Sequence, residues 1–473
     1  MNLPIPRVLL VAGIALGHVL ATTPAQAESK PPPLPTAAPP TAASVRLRVD
    51  EPALAALVLE SAGNHELAAR ALRVRQATHE RAAVRAHGLP SVDLDVRYTR
   101  TFGNSLDLGE LVNPAYAALN QLLGAPQFPT DLELGLPLEF DARVRISQPL
   151  YAPAVRAGDR AARALVDVAR HEASVARREV EAGVRVAWLQ LARADQVIAL
   201  LHRSRPLLEE ALRVSELLAA SELVTGDAVP RARAELAGFD QAVRDAVRGR
   251  ASAARAVNAL VAAPLDRAVA PPGPLAAPGA LPALPRLLAH ARRTRAEHAA
   301  LAAGVRAAEA DRAVAAAAGA PTLALALDLG AQGNGAPSID DRYLALSVVG
   351  SWNLFAGGGH RATAAARRAG IETLAVRAAQ LDQRIEEELR AAHAAAADAT
   401  AAVASADTRI GAAQAAYDVV ATRYQAGAVP QLELIAARTA LLRAEIDRIT
   451  ALTDFHLALV ELDRAADLAP ELP

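Results

Sequence analysis

Charged side chains alternate with apolar ones in two short stretches of this chain. The charges stand at every second position, at Asp93, Asp95, Arg97, Asp141, Arg143 and Arg145. A period of two is typical of a β-strand with one polar and one apolar face. Acids and bases that alternate in this way can all face water on one side of a sheet. The pattern therefore indicates a polar surface, either the lumen of a channel or the solvent side of a soluble sheet.

The sequence shows no grouping of residues that is typical of catalysis or metal binding. The 11 histidines are scattered. His290 and His298 fall near the same face of a predicted helix, but no carboxylate is spaced to complete a metal site with them. No nucleophile–histidine–acid set and no phosphate-binding glycine loop stands out. We therefore expect no enzymatic activity, no bound metal and no cofactor.

Four predicted strands position the charged residues. Two further alternating stretches, 323–329 and 344–348, follow later in the chain. Most aromatic residues lie in the strand regions, as expected for rings at a membrane–water interface. If the strands cross a membrane, their sheet must close, because open edges cannot sit in lipid. Transmembrane barrels begin at about eight strands, so several copies of the chain must share one barrel.

Three sequence landmarks recur in the same order and predict an internal duplication. The segments 88–92, 147–151 and 225–230 have counterparts at 319–323, 351–355 and 426–430. A repeat of this length is a copied half-molecule and not a solenoid unit. The loop inside the first strand pair is longer than its counterpart and includes a short helical segment around 114–123.

A long helical run follows each strand pair, at 154–224 and at 358–425. Each run is roughly 100 Å long at 1.5 Å per residue, and Pro206 predicts a kink in the first. The second run has apolar residues in heptad-like spacing, which is typical of a coiled coil. They are Ile371, Leu374, Ala378, Leu381 and Ile385.

The third landmark predicts two tight reversals between helices. Gly226 and Gly427 would end the long helices in a left-handed backbone conformation. Pro230 and Pro430 would fit the first turn of the returning helices, where a missing N–H costs nothing.

The composition points to an exported protein. The first 27 residues resemble a secretory signal, with Arg7, an apolar segment and the small-residue cleavage site Ala25-Gln26-Ala27. The chain has no cysteine, so we expect neither disulfides nor a lipid anchor. The net charge of -1 gives no indication of a nucleic-acid partner. No later run has the length and apolarity of a membrane-spanning helix.

The predicted organisation has six parts, and the fold class is mainly α with a small β part. The parts are a signal peptide (1–27), a proline-rich disordered segment (28–49), a first repeat (50–263), a proline-rich linker (264–285), a second repeat (286–467) and a tail (468–473). Each repeat is predicted to contain a helix, a strand pair (91–151 or 321–355) and a long antiparallel helical hairpin (154–262 or 358–466).

Taken together, these motifs resemble those of the outer-membrane efflux protein family, the TolC-like channels. The matched segments are Gly-Leu-Pro-Ser at 88–91, Gln-Pro-Leu-Tyr at 148–151, Asn-Leu-Phe-Ala-Gly-Gly at 353–358 and Arg-Tyr-Gln-Ala-Gly at 423–427. The resemblance extends over roughly 50–470. It implies a homotrimer with a 12-stranded β-barrel in the outer-membrane lipid and a helical barrel across the periplasm. It also implies that helix 230–262 stacks end to end on 284–318, and helix 430–466 on 52–87.

The resemblance also assigns roles to particular residues. The barrel lumen would be lined by Asp93, Asp95, Arg97, Arg143 and Arg145. The two reversals would dock on a periplasmic adaptor protein through Gly226, Val229, Pro230, Gly427, Val429 and Pro430.

Three further residues are candidates for the periplasmic gate. Glu433 would form a threefold carboxylate ring in the pore; the other interpretation is a solvated glutamate. Ala436 stands where a second acidic residue is common in the family. In the first repeat no acidic residue is clearly aligned: Ala232 stands six residues after Gly226, and Asp227 would substitute only in part. Tyr424 would either form hydrogen bonds between helices or pack between them.

The predicted function is a passive exit duct of a tripartite efflux pump, driven by an inner-membrane transporter. An outer-membrane channel for type I protein secretion is an alternative that the channel sequence does not separate from it. A periplasmic coiled-coil scaffold without a pore is an alternative from another class. The scaffold would account for the helices but not for four amphipathic strands grouped with the aromatic residues.

Overall fold

The computed structural model describes residues 52–100, 106–132, 135–136, 139–222, 226–333 and 341–468. The predicted signal peptide, the proline-rich segment after it and nearly all of the predicted tail lie outside these ranges. The chain divides into two compact units. Among the described residues, the first unit contains 85–156 and 318–356, and the second contains 52–84, 157–317 and 357–468.

The first unit is built on a four-stranded antiparallel sheet. The strands in chain order are β1 (Ser91–Tyr98), β2 (Leu106–Asp107), β3 (Gly135–Leu136), β4 (Phe140–Tyr151), β5 (Thr322–Gly333) and β6 (Arg342–Ser351). The spatial order of the sheet is β1-β4-β5-β6, and β2 pairs with β3 in a separate ribbon. The four predicted strands are therefore confirmed, and the β2–β3 ribbon is an addition. Within one chain, β1 and β6 are the two edges of the sheet.

One face of this sheet is apolar and exposed. Leu94, Val144, Leu329 and Leu344 stand side by side across the four strands. The two outer members of this row, Leu94 and Leu344, are 62% and 69% exposed. Soluble monomers rarely leave such a patch uncovered, so the exposed row marks a contact surface.

Long helices dominate the second unit. The helices of the chain are α1 (Pro52–Glu60), α2 (His65–Ala86), α3 (Gly109–Leu123), α4 (Pro153–Ala220), α5 (Ala228–Leu260), α6 (Leu284–Thr294), α7 (Ala296–Ala317), α8 (Gly359–Gln425) and α9 (Gln431–Ala466). A short 3-10 turn at Ser61–Gly63 separates α1 from α2. The helices α4 and α8 have 68 and 67 residues, and α4 continues through Pro206. Among the described residues, no helix has both the length and the apolarity that crossing a membrane would require.

Alanine and leucine form most of the core between these helices. One cluster joins α6, α8 and α9, with Leu287, Ile385, Leu389 and Leu462 at its centre. Alanines such as Ala396, which is fully buried, let the helix backbones approach closely. A second cluster joins α1, α4 and the end of α5 around the buried side chain of Trp188.

The end-to-end stacking of the helices differs from the prediction. The side chain of Asn64, between α1 and α2, donates a 2.7 Å hydrogen bond to the carbonyl of Leu260, the last residue of α5. The side chain of Arg295, between α6 and α7, lies 3.4 Å from the carbonyl of Ala465 near the end of α9. The predicted pairing of 230–262 with 284–318, and of 430–466 with 52–87, is therefore wrong.

The physical reason for the observed pairing is helix capping. The last carbonyls of a helix have no partner within it and need a donor when they are buried. Asn64 and Arg295 supply that donor, and both are buried. Each returning helix therefore stacks on the short helix of its own predicted repeat.

The linker between α5 and α6 contains no helix or strand and is held by side chains of the second unit. The Nε2 atom of His456 lies 2.9 Å from the carbonyl of Ala276, and that of His393 lies 3.0 Å from the carbonyl of Pro282. Asn258 donates to the carbonyls of Leu265 and Arg267. Burial lowers the pKa of His456, which favours the neutral ring as the linker's hydrogen-bond donor.

Candidate pore face and helix reversals

The charged residues of the sheet lie on one face and oppose residues of the other sign. The pairs across β1 and β4 are Asp93 with Arg145, Asp95 with Arg143, and Arg97 with Asp141. All five predicted lumen residues therefore share the polar face of the sheet. Opposite charges at directly facing positions stabilise an antiparallel pair.

The strongest of these charge contacts reaches into the third strand. The guanidinium of Arg145 binds Asp328 of β5 through two hydrogen bonds of 2.6 and 2.9 Å. Bidentate contacts of this kind fix both side chains. Arg143 donates a 3.4 Å bond to Asp95. Ion pairs on the polar face thus link β1 to β4 and β4 to β5.

Gly330 of β5 lies on the same face and makes room for an aromatic ring. A Cβ atom at this position would lie 2.7 Å from the carbonyl oxygen of Ala142 and 2.9 Å from Cε1 of Tyr343. This pair was not among the site residues predicted from the sequence. A glycine inside an otherwise regular strand pattern is the signal that could have found it.

The second reversal has the predicted left-handed glycine, but its proline lies one residue before the returning helix and not in its first turn. Gly427 has a φ of 70°, in the left-handed region. The Gly427 N–H bonds the carbonyl of Tyr424 at 2.9 Å, and the Ala428 N–H bonds that of Arg423 at 2.8 Å. These two bonds form a Schellman motif, which satisfies the last carbonyls of α8. Pro430, in an extended conformation, is the N-cap of α9.

The first reversal differs from the prediction at its glycine. The helix α4 ends at Ala220, and Glu222 has the left-handed conformation with a φ of 57°. Gly226 is not in the left-handed region, so its predicted helix-ending role is wrong. The reason is that α4 ends earlier than expected, next to the left-handed Glu222 and well before Gly226. Pro230 lies in the first turn of α5, as predicted.

The gate candidates have distinct surroundings. Asp227 forms an ion pair of 2.7 Å with Arg231 on its own helix. Glu433 is exposed in the first turn of α9, and no salt bridge to it occurs among the described residues. Tyr424, the third gate candidate, is half-buried. Of the two valines predicted to dock on the adaptor, Val429 is 9% exposed and Val229 is half-buried.

A contact between α9 and α4 was missed by the sequence analysis. The side-chain amide of Gln431 donates a 2.8 Å hydrogen bond to the carbonyl of Ala211. The oxygen Oε1 of Gln431 lies 2.9 Å from the hydroxyl of Ser215, which is fully buried. Gln431 directly follows Pro430, and this position next to the reversal was the available signal.

A buried acidic cluster lies where α9 ends against α4. Burial raises the pKa of Asp467 to about 6, although Arg178 beside it acts in the opposite direction. Burial also raises the pKa of Asp463, which is bonded to Arg185. Carboxylates lose hydration when they are buried, so their neutral form is favoured.

The buried guanidinium of Arg295 is surrounded by acceptors. Burial disfavours its charge, but hydrogen bonds to Glu297 and Glu388 outweigh this and raise its pKa. The bond to Glu388 is 3.0 Å long. Arg295 is 6% exposed, so its charge depends on these partners.

The histidines do not assemble a metal site within the described ranges, where no group of three or more potential ligands occurs. The Nε2 atom of His290 lies 3.3 Å from the carbonyl of Asp467. His298 lies 3.6 Å from Asp382.

Solved structures of outer-membrane channels share this fold. The chain is similar to the outer-membrane channel OprN, with 21% identity, a TM-score of 0.68 and coverage of 89% of this chain and 91% of that chain. It is similar to the CmeC outer membrane channel of Campylobacter jejuni, with 15% identity, a TM-score of 0.71 and coverage of 90% and 88%. The outer membrane protein VceC of Vibrio cholerae matches with 17% identity, a TM-score of 0.70 and coverage of 88% and 97%.

The fold is therefore that of TolC-like outer-membrane channels. Residues 287–466 match the family model described as outer membrane efflux protein, and the resemblance predicted from the sequence motifs is confirmed. OprN and CmeC are outer-membrane channels, and VceC is an outer membrane protein. No curated protein sequence matches the chain.

Proposed function

We propose that this chain is the outer-membrane exit duct of a tripartite efflux pump for small molecules. In this proposal three copies form a 12-stranded barrel whose polar faces line the pore. The duct is passive, and an inner-membrane transporter supplies the energy. A periplasmic adaptor protein docks at the helix reversals.

The observation that carries the proposal is the two-faced sheet. Its apolar face is exposed, and its polar face holds charges that are paired across strands. A periplasmic scaffold without a pore has no use for an uncovered apolar sheet. A barrel wall needs this arrangement, with lipid outside and water inside.

The two edges of the sheet support the trimer. Strands β1 and β6 each have one neighbour in the chain. Backbone groups at an open edge cannot remain unpaired in lipid. Pairing β1 of one copy with β6 of the next closes the barrel, and three copies supply about 12 strands, an even number within the range of outer-membrane barrels.

The reversals are the proposed docking points. The docking residues are Gly226, Val229, Pro230, Gly427, Val429 and Pro430. Glu433 of each copy would contribute to a ring of carboxylates at the mouth, because it is exposed and has no salt-bridge partner among the described residues. Asp227 is a weaker candidate for the gate, because Arg231 already neutralises it.

The polarity of the two faces can be tested with neighbouring residues. Because the chain has no native cysteine, Asp95→Cys and Leu94→Cys each introduce a single thiol. The two side chains point to opposite faces of β1. In planar bilayers, we expect a charged, membrane-impermeant thiol reagent to reduce the current of the Asp95→Cys channel and to leave the Leu94→Cys channel unchanged.

The outcomes of this test are distinct. Equal labelling of both thiols by the water-soluble reagent would indicate a soluble sheet and would refute the proposal. The trimer is checked separately by the size of the wild-type protein in mild detergent. A strain without the gene should accumulate small exported compounds; a selective loss of one secreted protein would instead support type I secretion.

A further inference from the structure

The helix α3 has an apolar face that no described residue of its own unit covers. This face consists of residues spaced three and four apart, which is the spacing of one side of a helix. They are Leu111, Pro114, Ala115, Ala118, Leu119 and Leu122. All six are exposed, and Leu111 and Leu122 are 76% and 85% exposed. We refer to these six residues as the α3 stripe.

The opposite face of α3 is anchored by two asparagines. Asn113 donates a 2.9 Å bond to the carbonyl of Leu132 and accepts a 3.0 Å bond from its N–H. Asn120 makes the same pair of bonds, of 2.6 and 2.8 Å, with Phe128. The ring of Tyr116 stacks on that of Phe128 at 5.2 Å. These contacts hold α3 against the segment that follows it. The α3 stripe lies on the side of the helix that faces away from this segment and is exposed.

The position of α3 in the first unit is set by strand pairing. The helix lies between β2 and β3, in the connection from β1 to β4. The β1–β4 ladder is extended by a 2.8 Å bond from the N–H of Thr99 to the carbonyl of Glu139. This connection leaves the sheet at the Tyr98–Phe140 end, and the other ends of β1 and β4 lead to α2 and α4.

We propose that α3 lies on the membrane surface at the outer end of the barrel, with the α3 stripe in contact with lipid acyl chains. This inference rests on the proposed function, because it requires that the sheet crosses a membrane. If the helices lie on the periplasmic side, the β1–β4 connection emerges on the external side.

The composition of α3 favours acyl chains over other partners. The helix contains one charged residue, Glu110, and no Lys or Arg. A helix held by anionic headgroups would carry basic residues on its polar face. A helix turned toward the water-filled pore would expose six apolar side chains to water. Binding through the apolar stripe should therefore be independent of headgroup charge.

Spin labels on single cysteines test the proposal in the full-length trimer. Leu111→Cys and Leu122→Cys place a nitroxide on the stripe, and both positions are exposed enough to leave the fold intact. Asp131→Cys, on the exposed segment after α3, is the matched control. In phosphatidylcholine vesicles, we expect the ratio of oxygen to water-soluble nickel-complex collisions to be several-fold higher at 111 and 122 than at 131. The ratio should not change when anionic phospholipid is added.

A label at Val348→Cys, on the apolar sheet face, separates failure of this inference from failure of the proposed function. If 348 contacts lipid and 111 and 122 contact water, the sheet crosses the membrane but α3 does not lie on it. Strong dipolar coupling between labels at 122, with low oxygen access, would show copies of α3 packing on one another and would overturn the inference. Water contact at all three positions would refute the proposed function as well.

Discussion

Replacement of Asp467 by Asn should remove a pH-dependent loss of stability. Asp467 ends α9 with a left-handed backbone, at a φ of 59°, and it is 3% exposed. Asn tolerates this conformation as well as Asp does. The substitution therefore changes the charge without straining the turn, and it resembles the protonated form of the native side chain.

The magnitude follows from the raised pKa. Burial raises the pKa of Asp467 from 3.8 to about 6. The folded state therefore binds the proton more tightly than the unfolded chain, and stability is lost as the pH rises between these two values. At 1.36 kcal/mol per pKa unit, the loss is about 3 kcal/mol above pH 6. Asp467→Asn avoids this loss, so it should be more stable than the wild type near pH 7.5 and similar to it near pH 4.

Thermal unfolding of the purified protein in detergent measures the effect. With about 2.1 cal/mol/K of unfolding entropy per residue, the difference corresponds to roughly 3 °C in Tm for a chain of this length. Asp454→Asn, at an exposed position of the same helix, is the control and should show no pH-dependent difference. If Asp467→Asn and the wild type shift in parallel between pH 4 and pH 7.5, the reasoning about burial at this site is wrong.

Three further predictions test the fold and the candidate site. Arg295→Met should destabilise the second unit by about 3 kcal/mol in thermal unfolding, because it leaves the part-buried Glu297 without its arginine partner and Glu388 with only Arg384; a change below about 0.5 kcal/mol, the usual range for surface substitutions, would contradict this. Gly427→Ala should lower the free energy of unfolding by about 1 kcal/mol because the φ of Gly427 is positive, whereas Gly226→Ala should lower it by less. Equal losses in thermal unfolding would contradict the conclusion that only Gly427 needs a left-handed backbone. Gly330→Ala should reduce the yield of trimer, because its Cβ would clash with the backbone and with Tyr343; a normal yield on a native gel would show that the strand adapts.

The β part of the fold was largely predictable because its signal is local. Alternation in the segments around Asp95 and Arg143 identified both strands and the polar face, since the period of two is a property of the extended backbone. The second reversal was predictable for the same reason. Gly427 and Pro430 each have a conformational preference that acts within a few residues.

The remaining errors concern contacts between distant segments. The stacking of α5 depends on Asn64, which is remote in sequence, and no local pattern shows which helix end it caps. The early end of α4 depends on a left-handed Glu222, a conformation that is uncommon for residues other than glycine. The link from Gln431 to Ser215 likewise joins two segments that only the tertiary structure brings together.

The caps provided by Asn64 and Arg295 have a consequence for the origin of the molecule. Each of the two end-to-end helix contacts is made by residues from one half of the chain. The proline-rich linker is therefore not needed to align the helix ends of either half. A gene for one half would already encode a short helix, two strands, a long helix and a returning helix. The end of that returning helix would stack on the short helix at the start of the same half. Six half-length polypeptides would supply as many strands and long helices as three copies of this chain. A ring of six half-length subunits would therefore need only the structural elements that this chain already contains.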